Sequence, residues 1–301
     1  MIKRKSIFVL GAGASRPFGF PLGSGLKELV LANYQGDVGH AVHLYNTTRF
    51  TRAEVEALTK GLRFSGLSSV DAFLERRPSF IEVGKATMGI ELLLAESSST
   101  LLQADSDWLG YLYNRMVGRS LEEFADNQVA FITFNYDRNV EHFLFTSLQH
   151  SFGASTEATA AVMGRIPIIH LHGRLGALPW QDARRGIPYG ASGIDTHMMN
   201  NLVDQIKVVH EDITEVRDKE FTRSKQLLAE AERVFLLGFG FGSLNVERLG
   251  LADIKPHFFE GTSYGMTPKE TRECRAMVGE QLNLHHNWAA LDFLRNVAPL
   301  N

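Results

Sequence analysis

Three polar residues stand directly behind apolar runs and carry side chains able to do chemistry together. Asn135 and Asp137 follow the run Val129 to Thr133, and His172 closes the run Ile166 to Leu171, just before Gly173. An asparagine amide can orient a water or a hydroxyl group. An aspartate can stabilise a developing positive charge. A histidine can serve as a base, because its ordinary pKa lies near neutrality. Asn135 fits a helix N-cap equally well, since asparagine is favoured there and a helical pattern follows from Arg138. His170 lies two residues before His172, on the same strand face by the period of two. That makes a metal pair geometrically conceivable, but no neighbouring carboxylate or cysteine offers a third ligand, so no metal is expected.

Such residues need elements that bring them together. Ser6 to Leu10 reads as a buried strand that stops at Gly11-Ala12-Gly13, followed by Ala14 and Ser15. A glycine turn after a strand lets backbone N–H groups approach a phosphate, as at the opening of a dinucleotide-binding unit. The fingerprint is incomplete, because Arg16 stands where a third glycine is wanted, and a tight turn without a ligand explains the same residues. Val234 to Leu237 reads as another strand, running into Gly238-Phe239-Gly240-Phe241-Gly242. In an open parallel sheet, ligands bind beyond the carboxyl ends of the strands. Four strand ends carrying glycine or hydrogen-bonding residues therefore predict an α/β chain with a Rossmann-like parallel sheet. Gly238 and Gly240 would let the backbone approach a ligand, and Ser243 and Asn245 could bond its ribose.

The order Gly-Ala-Gly-Ala-Ser, Thr-x-Asn-x-Asp, Leu-His-Gly and a glycine-rich strand end resembles the sirtuin family. Within it, the likeness is greatest to the bacterial sirtuin-like NADases of phage defence. Ser69 to Pro78, leading to Gly84-Lys85, and Asp107 to Tyr113 resemble that branch as well. The resemblance runs from residue 8 to about residue 265. It implies NAD as substrate, with Gly11, Ala12, Gly13, Ser15, Gly238, Gly240, Ser243 and Asn245 on the dinucleotide. It further implies Asn135 and Asp137 lining the nicotinamide-ribose pocket and His172 acting on the ribose hydroxyls. Two departures stand out. Gly19-Phe20-Pro21-Leu22-Gly23 replaces the family's Gly-Ile-Pro-Asp-Phe-Arg, and no cysteine pairs follow Gly173 where the zinc ribbon would fall. That module frames the acyl-peptide groove, so its loss argues against deacylation and not against NAD cleavage.

Composition narrows the classes. The chain has 301 residues, 44% hydrophobic and 22% charged, with a formal net charge of −3. Without a lysine/arginine block there is no electrostatic footprint for nucleic acid. The single cysteine, Cys274, rules out an internal disulfide and a four-cysteine zinc site and fits a reducing compartment. Lys3-Arg4-Lys5 precedes an apolar run too short for a signal peptide, and no stretch is long enough to span a bilayer. A cytoplasmic protein is expected.

Further along, Val55 to Phe124 shows helical spacing, as in Ile81, Met88 and Leu92, and in Leu109, Leu112 and Met116. The expected organisation is a single domain over residues 1–301 with a helical insertion at 26–125. Trp108, Tyr111 and Tyr113 read as packing. Ser151 to Arg165 and Pro179 to Gly193 read as loops, Asp218 to Arg233 as a charged helix, and His257 to Glu260 as a last strand. His40/His43 and His285/His286 read as solvated surface pairs. The function expected is NAD hydrolysis to ADP-ribose and nicotinamide in antiphage defence. The alternatives are an NAD-dependent deacylase or ADP-ribosyltransferase, and a non-catalytic NAD or ADP-ribose sensor. The family implies gating by homo-oligomerisation or by a ring-forming ATPase partner.

Overall fold

The computed structural model describes residues 1–36, 39–103, 107–191, 193–208 and 215–300, with the side chains of 215–218 left aside. Six parallel strands form one sheet: β1 (Ser6–Leu10), β2 (Val129–Thr133), β3 (Ile168–His170), β4 (Arg233–Leu237), β5 (Phe258–Ser263) and β6 (Asn283–His286), in the order β3-β2-β1-β4-β5-β6. This is the doubly wound Rossmann order. The direction of winding reverses between β1 and β4, which opens a crevice above their carboxyl ends.

Strands β1, β2 and β4 are buried along their whole length, which is why they appear in the sequence as apolar runs interrupted only at their ends, by Ser6, Thr133 and Arg233. Alternate residues feed two cores. Phe8, Leu10, Phe131, Phe235 and Leu237 face one side, and Ile7, Val9, Ala130, Ile132, Val234 and Leu236 face the other. In register, Phe8 stacks between Phe131 and Phe235, with ring centroids 5.4 and 4.8 Å away. This aromatic ladder fixes the alignment of the three central strands, since a slip of one residue would send each ring to the opposite face.

All regular elements described between β1 and β2 are helical, and their apolar residues, among them Leu26, Val30, Leu58, Met88 and Leu112, join the first core. Trp108 is packed there, and its Nε1 donates to the Ala14 carbonyl at 2.8 Å, bracing the turn after β1 from below. The second core is closed by the helices Glu215–Ala229, Ser243–Leu249 and Pro268–Val278.

Several expectations are corrected. The stretch expected as a loop from Ser151 contains the helix Thr156–Met163, capped by Ser155, whose side chain accepts from the Ala158 N–H. The helix expected to run to Arg233 ends at Ala229, and β4 begins at Arg233 itself. The last strand is β6, one beyond the expected β5. The loop Pro179 to Gly193 contains no regular element among its described residues; Ser192 lies outside them. The paired histidines are not simply solvated. His40 Nδ1 lies 2.5 Å from Glu91 Oε1, and His285 Nε2 lies 2.5 Å from Glu260 Oε2. No helix among the described residues is long and apolar enough to cross a membrane.

Candidate active site

Two adjoining lobes open above the β1/β4 crevice. The larger, of about 740 Å³, lies over the ends of β4, β5 and β6, between Arg16, Thr262, Ser263, Trp288 and Asp292. The smaller, of about 330 Å³, lies over β1, β2 and β3 and holds Asn135 and His172. Ala12, Phe239 and Gly240 line both.

The glycines of the two loops meet each other. A Cβ on Gly11 would come within 2.4 Å of the Gly238 carbonyl oxygen, and one on Gly13 within 2.8 Å of the Gly238 Cα. Gly238 itself has φ +57° and would bring a Cβ to 2.1 Å from the Ala14 nitrogen. No side chain fits in this backbone-to-backbone interlock. Gly11 N–H donates to Leu237 O, Gly13 N–H to Gly238 O and Ala14 N–H to Gly11 O. Those three amides are therefore engaged within the fold, which differs from the expectation that the turn offers them to a phosphate. Gly240 has open space around its Cβ position and lines both lobes. Its neighbour Phe241 is a buried non-glycine residue at φ +52°, a backbone state that costs about 1–3 kcal/mol.

Asn135 does not cap a helix. The helix Asn139–Phe152 follows, and Asp137 Oδ1 accepts from the Asn139 N–H at 3.2 Å. Asn135 Nδ2 instead donates to Gly11 O at 2.9 Å and to Ser15 Oγ at 3.0 Å, tying the β2 end to the β1 turn. With both amide hydrogens engaged, Oδ1 is the atom left to meet a ligand. Ser15 Oγ in turn donates to Asp137 Oδ2 at 2.6 Å. Ser15 and Asp137 thus hold each other beside Asn135, and neither lines either lobe. Burial pushes the Asp137 carboxyl up, against the opposing hydrogen bonds from Ser15 and Asn139.

His172 is 4% exposed and packs on Phe134, with ring centroids 5.4 Å apart. Its carbonyl accepts from the Lys207 N–H at 2.9 Å. Gly173, at φ +73°, bridges to Ile206, and a Cβ there would lie 1.9 Å from Gln205 O. The glycine of Leu-His-Gly thereby lets segment 205–207 clamp the histidine's backbone. His170 is turned to other partners: Nδ1 lies 3.0 Å from Asn135 O and Nε2 lies 2.7 Å from Glu141 Oε1. Both of its ring nitrogens are engaged, so it does not pair with His172 on a metal, and no group of three metal-ligating side chains occurs among the described residues.

Of the remaining expected residues, Asn245 lines the smaller lobe with a buried Oδ1 that has no hydrogen-bond partner among the described residues. Ser243 starts a helix, is exposed, and lines neither lobe. Two residues escaped the sequence reading. Ser263, 1% exposed at the end of β5, presents an Oγ without a partner to the larger lobe. Asp71, in the first turn of the helix Val70–Arg76, lines the smaller lobe. The strand-end rule applied to Gly261-Thr262-Ser263 would have found the first, whereas nothing local marks the second.

No protein-family model and no curated protein matches the chain. Among solved structures it is similar to Sir2 in complex with the inhibitor EX-527, 2'-O-acetyl-ADP-ribose and a deacetylated p53 peptide, at 15% identity and TM-score 0.42, covering 98% of this chain and 92% of that one. It is also similar to Sir2Tm bound to a propionylated peptide, at 15% identity and TM-score 0.40, with the same coverage of 98% and 92%. These overlaps are loose, and the fold class stands on the strand order and the parallel registers.

Proposed function

We propose that this chain hydrolyses NAD at the nicotinamide N-glycosidic bond, giving ADP-ribose and nicotinamide. The observation that carries the reading is the two-lobed cleft at the β1/β4 crevice, which gathers Asn135 and His172 in one lobe and leaves the polar atoms Asn245 Oδ1 and Ser263 Oγ without protein partners along it. Buried polar atoms left unpaired by the protein favour a polar ligand. The larger lobe suits the adenosine half, and the smaller suits the nicotinamide ribose. The leaving group is a cationic ring that needs no proton, so catalysis requires charge stabilisation at the ribose and a positioned water. Asn135 Oδ1 orients the water or a ribose hydroxyl, and His172 takes the proton.

The biological setting proposed is NAD depletion in antiphage defence, in the cytoplasm, with activity gated by self-association or by a ring-forming ATPase. It rests on the sequence resemblance alone. The test is nicotinamide release from NAD by the purified chain over a range of protein concentrations, with and without acylated peptide and with and without phage infection products, and with the partner product identified by mass. Free ADP-ribose without peptide supports the hydrolase. Release that requires peptide, with the acyl group on ADP-ribose, makes the chain a deacylase. Binding of NAD with no release under any condition makes it a sensor.

A further inference from the structure

The acids around the smaller lobe divide into those held behind it and two that line it, Asp71 and Glu75, of which Asp71 is hydrogen-bonded to the loop that carries Asn135. Asp137 has both oxygens engaged, by Ser15 Oγ and the Asn139 N–H, and stands outside the lining. Glu141 is fully buried against His170 and Arg174. Asp71, on the helix Val70–Arg76, shares the lining with Asn135 and His172. Its position is set twice. Ser69 caps the helix by accepting from the Ala72 N–H. Asp71 Oδ1 accepts from the Tyr136 hydroxyl at 2.7 Å, and Tyr136 directly follows Asn135. The carboxylate is therefore fixed against the same loop that carries the candidate water-orienting amide. Burial pushes the Asp71 carboxyl up, and the Tyr136 hydrogen bond opposes that rise.

We infer that Asp71, not Asp137, is the catalytic carboxylate that faces the ribosyl cation, an assignment that rests on the hydrolase reading above. In the step concerned, the bond between ribose C1′ and the nicotinamide nitrogen breaks, and its electron pair goes to that nitrogen, neutralising the pyridinium. The positive charge passes to C1′ and the ring oxygen, where the Asp71 carboxylate opposes it. A water oxygen then bonds to C1′, and the proton it loses passes to His172 and on to solvent. Asp71 exchanges no proton and forms no bond; its contribution is a charge held in place before the cation forms.

The experiment compares Asp71→Asn, Tyr136→Phe and Asp137→Asn with the wild-type full chain, measuring kcat for nicotinamide release, the Kd for NAD and the melting temperature. Asp71→Asn can still accept from the Tyr136 hydroxyl, so it removes charge and keeps the scaffold. It is expected to lower kcat by about 100-fold or more, the usual cost of one preorganised electrostatic partner, with Kd little changed. Tyr136→Phe, which loosens the carboxylate but keeps it, should lower kcat by less than about tenfold. An Asp71→Asn variant with near wild-type kcat overturns the inference. So does a Tyr136→Phe variant as impaired as Asp71→Asn, which would make Asp71 a positioning residue for the Asn135 loop, or an Asp137→Asn variant whose kcat alone collapses while it stays folded. If Asp71→Asn does not fold, Asp71→Ala with added formate replaces it: recovery of release supports the inference and no recovery overturns it. A wild-type chain that releases no nicotinamide in any assembly state sinks the hydrolase reading, whereas an active wild type beside an equally active Asp71→Asn sinks this assignment alone.

Discussion

His170 and Glu141 are joined directly behind the cleft, Nε2 to Oε1 at 2.7 Å, with the two side chains 6% and 2% exposed. The pair explains why His170, unlike His172, does not line the lobe. Its ring is held by Glu141 on one side and by the Asn135 carbonyl on the other, so it supports the backbone of a candidate site residue.

This pair gives the first prediction. Burial would raise the Glu141 carboxyl, but the charge and hydrogen bond of His170, with Arg174 beside them, outweigh it and hold the group below its ordinary value of 4.5. A carboxyl depressed in the folded state contributes stability that is complete above its unfolded pKa and is lost as pH falls through the folded one. The wild-type chain should therefore lose stability below about pH 4.5, and Glu141→Gln should flatten that part of the profile. Glu141→Ala, which leaves His170 buried without its partner, should cost about 3 kcal/mol at neutral pH. Urea unfolding at several pH values reads all three.

The glycine interlock gives the second. Gly238→Ala forces a Cβ to 2.1 Å from the Ala14 nitrogen in a left-handed backbone, and Gly13→Ala places one 2.8 Å from the Gly238 Cα. Both should yield little folded protein, Gly238→Ala least. Gly240→Ala, which meets nothing within 4 Å, should fold normally. Soluble yield and thermal melting decide it, and equal behaviour of Gly238→Ala and Gly240→Ala would contradict the interlock.

Ser263 carries the third. Its Oγ has no partner among the described residues, so Ser263→Ala should leave the melting temperature unchanged or slightly raised. If that hydroxyl meets the adenosine half of NAD, the same variant should weaken binding by about five- to tenfold, the worth of one hydrogen bond. Calorimetric titration with NAD and with ADP-ribose measures it, and unchanged affinity for both would remove Ser263 from the site.

The fourth concerns His172. As the proposed proton acceptor, its replacement by alanine should lower NAD hydrolysis by about 100- to 10,000-fold. The fold should survive, because the segment is clamped through backbone groups at His172 O and Gly173. Asn135→Ala should also abolish cleavage, but at some cost in stability, since it removes both links from Nδ2 to the β1 turn. Retention of wild-type turnover by a folded His172→Ala would falsify the base assignment.

What the sequence made legible follows burial. Ser6–Leu10 and Val129–Thr133 are covered on both faces, so between the terminal Ser6 and Thr133 their residues are all apolar, and their bounds could be read directly. Asn283–His286 is an edge strand with exposed and half-exposed side chains, Asn-Leu-His-His, and leaves no apolar signature. Thr156–Met163 buries only Thr159, Val162 and Met163, too narrow a stripe to stand out beside flanking glycines. Asn135 and His172, which share the smaller lobe, could be proposed from the sequence because each follows a strand end. Asp71 could not, because its place in the lobe depends on a helix brought across from the segment between β1 and β2, a tertiary contact with no local mark. Ser15 and Asp137, read from the sequence as facing a ligand, hold each other across a long sequence separation, which no local pattern announces.

The interlock between Gly11, Gly13 and Gly238 has an evolutionary corollary. Compensation normally works by shrinking one partner when the other grows, and here the partners are already glycines, so no smaller residue exists to yield. The three positions are thus frozen independently, without the paired drift by which neighbouring residues betray their contact. A descendant that had lost all catalytic ability but still assembled this sheet would be obliged to retain them. In any lineage carrying this arrangement, an intact Gly-Ala-Gly turn therefore testifies to the integrity of the scaffold and not to a retained activity.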